Sequence, residues 1–206
     1  MSDMIYDCPD YPLLLILSGP SGVGKDTVAR MVIERRPDSF YFVVTATTRP
    51  PRDDEHHGVD YIFVTFDEFA RMIEANELLE YAVVYNDYKG IPKQQIRDAL
   101  SSGRDVILRV DVQGAATVRR LIPNAISVFL TTRSEQGLVR RLRQRKQDTA
   151  EGMALRTATA RQEMKRAVEF DYCVVNPEDE PEKAVQQVLS IIDAAHCRIN
   201  QEPVVL

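Results

Sequence analysis

The chain has 206 residues, 44% of them hydrophobic, so it has enough apolar sequence for the core of a single large domain. Its formal net charge of −5 gives no support to a nucleic-acid partner, and its apolar run at residues 13–17 is too short to span a membrane. Three cysteines without metal-ligand spacing predict a cytoplasmic protein with reduced thiols. An organellar location would require that a transit peptide had already been removed.

Short apolar segments alternate with helical patterns along much of the chain. We predict strands at residues 13–17, 106–110, 125–130 and 172–176, and a helix over residues 27–36. This alternation predicts an α/β fold with a parallel sheet covered on both faces, whose ligands bind beyond the carboxyl ends of the strands.

Residues 41–97 interrupt the alternation. Three strand-like pieces lie close together there, YFVVTATTR, DYIFVTF and LLEYAVVY, and the helical pattern FDEFARMIEAN separates the second from the third. We therefore expect an inserted α+β lobe. A second interruption, residues 133–166, has ten basic and four acidic residues and a charge of about +6. It is either a solvated helical face or a mobile arm that closes on polyphosphate.

The segment LLLILSGPSGVGKDTVARMV places a glycine-rich loop between a predicted strand and a predicted helix. Its glycines and lysine match the phosphate-loop pattern G-x-x-x-x-G-K-[ST]. Inward-turned backbone N–H groups and the start of the helix attract phosphate, and the lysine reaches the β- and γ-phosphates. The pattern predicts a triphosphate site formed by Gly19, Pro20, Ser21, Gly22, Val23, Gly24, Lys25, Asp26 and Thr27.

Asp26 departs from this pattern, which has a magnesium-binding hydroxyl at its position. Magnesium also accepts carboxylate oxygen, directly or through water, so Asp26 is a candidate metal ligand. Alternatively, Asp26 is only a favourable anion at the start of a helix. Thr27 cannot replace it, because adjacent helical residues point about 100° apart.

A second anion site is predicted in the turn-rich stretch TATTRPPRDDEHHGVDYIFV. Arg49 and Arg52 lie three residues apart and can grip one phosphate, and Tyr61 can add a hydroxyl donor. Two phosphate sites are what a kinase of a phosphorylated acceptor requires.

Together these motifs resemble the guanylate kinase family. The segments GPSGVGK, TTRPPR, GVDYIFV, LLEYA, VDVQG, RLRQR and VVN follow the family's order over about residues 13–195. The resemblance implies a three-layer phosphate-loop core with a parallel sheet, an inserted α+β GMP-binding lobe and a helical lid. It places the core at about 11–43, 97–135 and 167–198, the lobe at about 44–96 and the lid at about 136–166.

The resemblance also implies transfer of the γ-phosphoryl group from ATP to GMP or dGMP, with magnesium as cofactor and a monomeric or homodimeric enzyme. Glu80 matches the carboxylate that accepts hydrogen bonds from the guanine N1–H and amine. The implied GMP-binding residues are Thr45, Arg49, Arg52, Tyr61, Glu80, Lys89 and Asp111. On the donor side, Asn176 matches a residue beside the adenine, and the implied catalytic residues are Lys25, Arg141, Arg145 and Arg156.

Besides Asp26, three positions depart from the family. Lys89 and Ile91 stand where the family has a tyrosine and a hydroxyl residue that approaches guanine, and Arg109 replaces an acid linked to magnesium hydration. Because an acid is gained at 26 and lost at 109, we hypothesise that the carboxylate near magnesium has moved between them. The alternatives are a kinase of another phosphorylated acceptor such as ribose bisphosphate, a non-catalytic protein-binding module of the same fold, and a nucleotide-binding protein that transfers no phosphate.

Overall fold

The computed structural model describes residues 10–53, 55–84, 86–144 and 150–206. Within these residues the strands are β1 (Leu14–Ser18), β2 (Phe40–Phe42), β3 (Ala46–Thr47), β4 (Ile62–Phe63), β5 (Leu78–Val84), β6 (Asp87–Pro92), β7 (Asp105–Arg109), β8 (Ile126–Thr131) and β9 (Tyr172–Val175). The helices are α1 (Lys25–Arg35), α2 (Phe66–Glu74), α3 (Lys93–Ser101), α4 (Val112–Leu121), α5 (Glu135–Gln144), α6 (Ala150–Lys165) and α7 (Pro181–His196).

A parallel sheet forms the centre of the fold, with the strand order β2-β7-β1-β8-β9. All residues of β1 are buried, because alternate side chains enter two cores. Leu15 and Leu17 pack in the core that contains residues of α1 and α7, whereas Leu14 and Ile16 pack with residues of α3 and α4. The predicted α/β fold with a covered parallel sheet is confirmed.

A second sheet, ordered β4-β3-β6-β5, comes from the stretch that interrupts the alternation. Here β3 and β6, and β6 and β5, pair antiparallel, while β3 and β4 are parallel. Helix α2 covers this sheet with the buried side chain of Phe69. The helix begins at a capping box, in which Thr65 and Glu68 satisfy each other's backbone N–H groups.

Two details of the sequence interpretation were wrong here. The run YFVVTATTR is not one piece, since β2 joins the parallel sheet and β3 the second sheet. Strand β6 was not predicted, because Lys89, Gly90 and Pro92 give it no regular alternation of apolar side chains. Its Pro92 lies at the end of the strand, where a missing N–H interrupts no ladder.

The basic stretch forms α5 and α6, and residues 145–149 between them lie outside the described part of the chain. The division into core, lobe and lid stays a prediction. No helix of the described ranges combines the length and the apolar character that a membrane crossing demands.

His196, at the end of α7, ties that helix to the sheet. Its Nε2 lies 2.9 Å from Oδ2 of Asp105, whose Oδ1 accepts a hydrogen bond from the Leu13 N–H. Its Nδ1 lies 3.0 Å from Oδ1 of Asp10, an approach without hydrogen-bond geometry. Burial alone would lower the pKa of His196, but the hydrogen bond and charge of Asp105, helped by Asp10, raise it above 6.5.

We expect His196→Gln to destabilise the protein more in acid than in base. Because the folded-state pKa is raised, the contribution of His196 is complete below about pH 6.5 and is lost as the pH rises through the folded pKa. At the acid end we expect the substitution to lower the unfolding free energy by about 1 kcal/mol. This loss is smaller than for a fully buried charged pair, because solvent screens the partly exposed His196. Urea unfolding at about pH 5.5 and about pH 8.5 measures it. An equal loss at both pH values would contradict this account.

Candidate functional site: two adjacent anion-binding regions

The loop between β1 and α1 has a backbone that requires glycine at several positions, Gly19 and Gly24 among them. Gly19 has φ 137° and Gly24 has φ 93°, both in the region that L side chains rarely adopt. Space is also lacking, since a Cβ at Gly24 would lie 2.6 Å from Nδ2 of Asn176, and one at Gly19 would collide with the Leu130 carbonyl. The glycines of the sequence motif are therefore needed for the shape of the loop as well as for access to an anion.

Two predicted donor-site residues hold this loop in place. Asn176, which follows β9, donates from Nδ2 to the Val23 carbonyl at 2.8 Å. Arg141 of α5 donates to the same carbonyl at 3.0 Å and, through its other terminal nitrogen, to the Asn176 carbonyl at 3.0 Å. The phosphate loop, the basic helix α5 and the end of β9 thus meet at one point.

Lys25 lies beneath the loop and donates from Nζ to the carbonyls of Gly19, at 2.6 Å, and Pro20, at 3.1 Å. Burial lowers the pKa of Lys25 to about 8, although Asp26 and Glu163 act in the opposite direction. The ammonium group is therefore still mostly charged at neutral pH.

The sequence interpretation missed Glu163 as a site residue. One of its carboxylate oxygens accepts a hydrogen bond from the Ser21 N–H at 3.4 Å, so α6 presents a negative group to the phosphate loop. Burial raises the pKa of Glu163, while Lys25 and the Ser21 N–H oppose the rise. In the sequence it is one acid in a basic stretch, and no spacing distinguishes it from the others.

Asp26 and Arg109, two of the departures noted in the sequence, form an ion pair with each other. Nη1 of Arg109 donates to Oδ1 of Asp26 at 2.7 Å. The arginine side chain is 12% exposed and the aspartate side chain 60%. Helix α1 starts at Lys25, so Asp26 lies in its first turn, at the positive end of the helix dipole.

The predicted second anion region lies between β3 and β4. Arg49 makes a two-pronged contact with Glu55, with Nη2 donating at 2.8 Å and 2.7 Å to the two carboxylate oxygens. The backbone N–H of Arg52 donates to the same carboxylate at 2.9 Å. Burial would raise the pKa of Glu55, but these donors outweigh it and hold the pKa below its usual value. Glu55 therefore orients the arginine-rich turn.

Tyr61 is the centre of a cationic group. Three cations stand over its ring, with Arg109 at 4.9 Å, Lys89 at 5.2 Å and Arg49 at 5.3 Å from the ring centroid. The phenol face attracts these charges and holds them around one point. The structure thus brings together Arg49, Tyr61 and Lys89, which the sequence placed at one site, and adds Arg109.

Glu80 and Asp111 form a pair of acids at the start of α4. Asp111 caps the helix by accepting from the Gly114 N–H at 2.8 Å, and a Cβ at Gly114 would lie 3.2 Å from a carboxylate oxygen of Glu80. Burial raises the pKa of Glu80 to about 7, and the negative charge of Asp111 adds to the rise. Glycine at 114 thus leaves room for the Glu80 carboxylate against the first turn of the helix.

Three predicted site residues, Thr45, Arg156 and Arg145, remain. Thr45 is buried between β2 and β3, and its carbonyl accepts from the Ile62 N–H at 2.9 Å. Arg156 lies on α6, and Arg145 lies outside the described residues. Ile91, the residue at the place of the family's hydroxyl, is 2% exposed and packs into the core with residues of α3 and α4.

Comparisons with known proteins agree with this geometry. A family model described as guanylate kinase matches residues 11–195. The chain is 53% identical over 197 residues to guanylate kinase 2, chloroplastic/mitochondrial, from Oryza sativa subsp. japonica, covering 95% of this chain and 69% of that protein. It is 41% identical over 187 residues to a guanylate kinase from Lactobacillus johnsonii, covering 91% of each chain. A crystal structure of guanylate kinase from Anaplasma phagocytophilum superposes with a TM-score of 0.75 at 26% identity, over 93% of this chain and 89% of that one.

Proposed function

Because the chain belongs to the guanylate kinase family, we infer that it transfers the γ-phosphoryl group of ATP to GMP or dGMP, yielding ADP and a guanosine diphosphate. One observation carries this inference. The guanidinium of Arg109 contacts Asp26 beside the phosphate loop and stands over Tyr61 of the second anion region. Two phosphate sites joined by one side chain are close enough for direct transfer between their ligands.

On the donor side, we assign the triphosphate to the loop Gly19–Thr27, which the glycines shape around an anion. Lys25 would exchange its loop carbonyls for the β- and γ-phosphates, since its ammonium group has three donors to offer. Arg141 and Asn176 already contact the loop and are placed to hold the rest of the nucleotide. Arg145 and Arg156 remain proposed lid residues.

On the acceptor side, we assign the GMP phosphate to Arg49, Arg52, Tyr61 and Lys89. Glu80 would accept from the guanine N1–H and amine, a pair of neighbouring donors that adenine lacks. Asp111 stands next to Glu80 as a second acid of the proposed base site, although its charge raises the pKa of Glu80. Thr45 is a further proposed contact. Ile91 is buried in the core and provides no hydroxyl for the base, so Glu80 carries the selection of guanine.

The residues present can hold magnesium, with Asp26 as the candidate carboxylate ligand. Among the residues that the structure describes, no three acidic, histidine or cysteine side chains form a metal cage. Magnesium in kinases needs only one or two carboxylates together with the substrate phosphates. Asp26 would hold it, and a carboxylate has enough lone pairs to keep its Arg109 hydrogen bond as well. When bound, magnesium would neutralise charge on the phosphates.

The transfer itself needs no protein nucleophile. A phosphate oxygen of GMP attacks the γ-phosphorus as the bond to the β-phosphate oxygen breaks, so the protein contributes position and positive charge. Lys25 and the lid arginines would neutralise the charge that spreads over the transferred group. Closure of α5 and α6 would exclude water, which otherwise competes with GMP as acceptor.

The proposed setting of the enzyme is purine nucleotide metabolism, with ATP and GMP as its substrates and a monomer or homodimer as its assembly. A cytoplasmic location is the prediction from the sequence. The name of the rice relative places that protein in chloroplasts and mitochondria, which favours the organellar alternative.

An acceptor panel tests the function. With Mg-ATP as donor, we expect turnover of GMP and dGMP and at least about a hundredfold lower kcat/KM for AMP, UMP and ribose 1,5-bisphosphate, because only guanine offers Glu80 two donors. ADP release measured by a coupled assay gives the rates. Preference for a different acceptor would refute the base assignment, and GMP-independent ATP hydrolysis alone would refute transfer.

The raised pKa of Glu80 gives GMP binding a pH dependence. Only the ionised carboxylate accepts two hydrogen bonds, so GMP affinity should rise as the pH increases through about 7 and fall roughly tenfold per unit well below it. Calorimetric titration with GMP between about pH 5.5 and 8.5 measures this. The GMP phosphate also titrates near pH 6. Glu80→Gln separates the two effects, because this variant should bind weakly and lose the step near pH 7. If the pH dependence of GMP affinity in Glu80→Gln were the same as in wild type, Glu80 would not be the residue that recognises guanine.

Arg52 gives a test of the acceptor-phosphate site. Arg52→Ala should raise the KM for GMP about tenfold or more while changing kcat less, because it removes a charged donor that binds the phosphate before and during transfer. Steady-state kinetics with saturating Mg-ATP measures both constants. Arg71→Ala, a change at an exposed arginine of α2 in the same lobe, is the matched control and should leave both constants unchanged. A KM for GMP within twofold of wild type in Arg52→Ala would place the phosphate elsewhere.

A further inference from the structure

Arg109 occupies a position between the donor and acceptor regions that no assigned role explains. It ends β7, next to β1 at the centre of the sheet, and its side chain is largely buried. On one side it bonds Asp26, and on the other its guanidinium lies over the rings of Tyr61, at 4.9 Å, and Phe42, at 5.4 Å. These contacts fix the cation from three directions.

The charges of the pair explain why both departures occur together. An aspartate beside the triphosphate would repel it, and Arg109 supplies the compensating charge. Burial disfavours the Arg109 cation, yet Asp26 and Tyr61 outweigh that effect and raise its pKa. The pair has no net charge, whereas a hydroxyl at 26 with an acid at 109 would carry one negative charge. The change is thus more than a carboxylate that has moved, because the site has also gained a cation.

We propose that Arg109 is a positioning residue that neutralises and orients Asp26 beside the donor phosphates and holds Tyr61 for the acceptor phosphate. The proposal rests on the proposed function for its acceptor part alone. Its donor part depends on the phosphate loop and the ion pair. The two parts predict different responses to the same substitutions.

The donor part is tested by binding without metal, so that only the charges of the protein act on the nucleotide. Calorimetric titration of ATP in EDTA compares wild type, Arg109→Met, Asp26→Ser and the double variant. Arg109→Met removes the Arg109 charge that is paired with Asp26 and should weaken ATP binding about tenfold or more. The double variant removes the Asp26 carboxylate too and should bind ATP within about threefold of Asp26→Ser.

The acceptor part is tested by the KM for GMP at saturating Mg-ATP. Arg109→Met removes a cation from the Tyr61 ring and should raise this KM about fivefold, the size of one cation–π contact. The double variant should keep the raised KM, because removing Asp26 does not restore the contact with Tyr61. Rescue is therefore expected for ATP binding and not for GMP.

Arg104→Met is the matched control. Arg104 also stacks on a tyrosine, with its guanidinium 5.0 Å from the centroid of the Tyr41 ring, but it lies just before β7 at the opposite end of the strand. It should change neither constant. Thermal unfolding of all variants reports any loss of folded protein. A folding defect caused by Arg109→Met would weaken ATP binding equally in the single and the double variant, so Asp26→Ser would not rescue it.

The results separate this proposal from the proposed function. ATP binding in Arg109→Met within twofold of wild type, or a double variant that binds ATP no better than Arg109→Met, would overturn the donor part. A KM for GMP unchanged in Arg109→Met would overturn the acceptor part. Wild-type protein that phosphorylates another acceptor would refute the proposed function, while the titrations with ATP would still decide the role of the ion pair.

Discussion

The Val23 carbonyl is the contact on which the geometry of the site depends. It accepts from both Asn176 and Arg141, and these two residues are also bonded to each other. A phosphate loop must keep its N–H groups turned towards a ligand, so its carbonyls have to find partners on the opposite side. Here the partners come from the end of β9 and from α5, so hydrogen bonds connect the loop to a basic helix.

That arrangement connects the phosphate loop to the position of helices α5 and α6. Arg141 belongs to the helix that we propose closes over the substrates, and Glu163 of α6 accepts a hydrogen bond from the Ser21 N–H of the loop. The carboxylate lies at a backbone group that a phosphate would also seek, and an anion that enters must compete with it. Burial favours the protonated form of Glu163, which weakens this competition. Helices α5 and α6 therefore give the loop a cation that supports it, Arg141, and an acid, Glu163, that a phosphate would displace under the proposed function.

The sequence predicted those parts of the molecule whose residues interact locally. The strand and helix that flank the glycine-rich loop, the parallel strands and the helix FDEFARMIEAN follow from short-range patterns, and the structure confirms each of them near its predicted bounds. Strand β6 could not be predicted, because its pairing with β5 and β3, and not the periodicity of DYKGIP, makes it a strand. Glu163 was missed for a related reason. It is recognisable only from the partner that it meets, the Ser21 N–H, and a carboxylate among other charged residues carries no local signal.

Asp26 and Arg109 show the same limit more clearly. They are 83 residues apart in the chain, so nothing in the sequence requires that they meet, and each taken alone weakens a match to the family pattern. Parallel pairing of β1 with β7 brings the start of α1 beside the end of the neighbouring strand, and there the two charges cancel. The arginine at 109 neutralises the carboxylate at 26, and the buried arginine has Asp26 and the aromatic faces of Tyr61 and Phe42 as its partners. The two departures are thus one feature of the site, and under the proposed function it lies between the donor and acceptor phosphates.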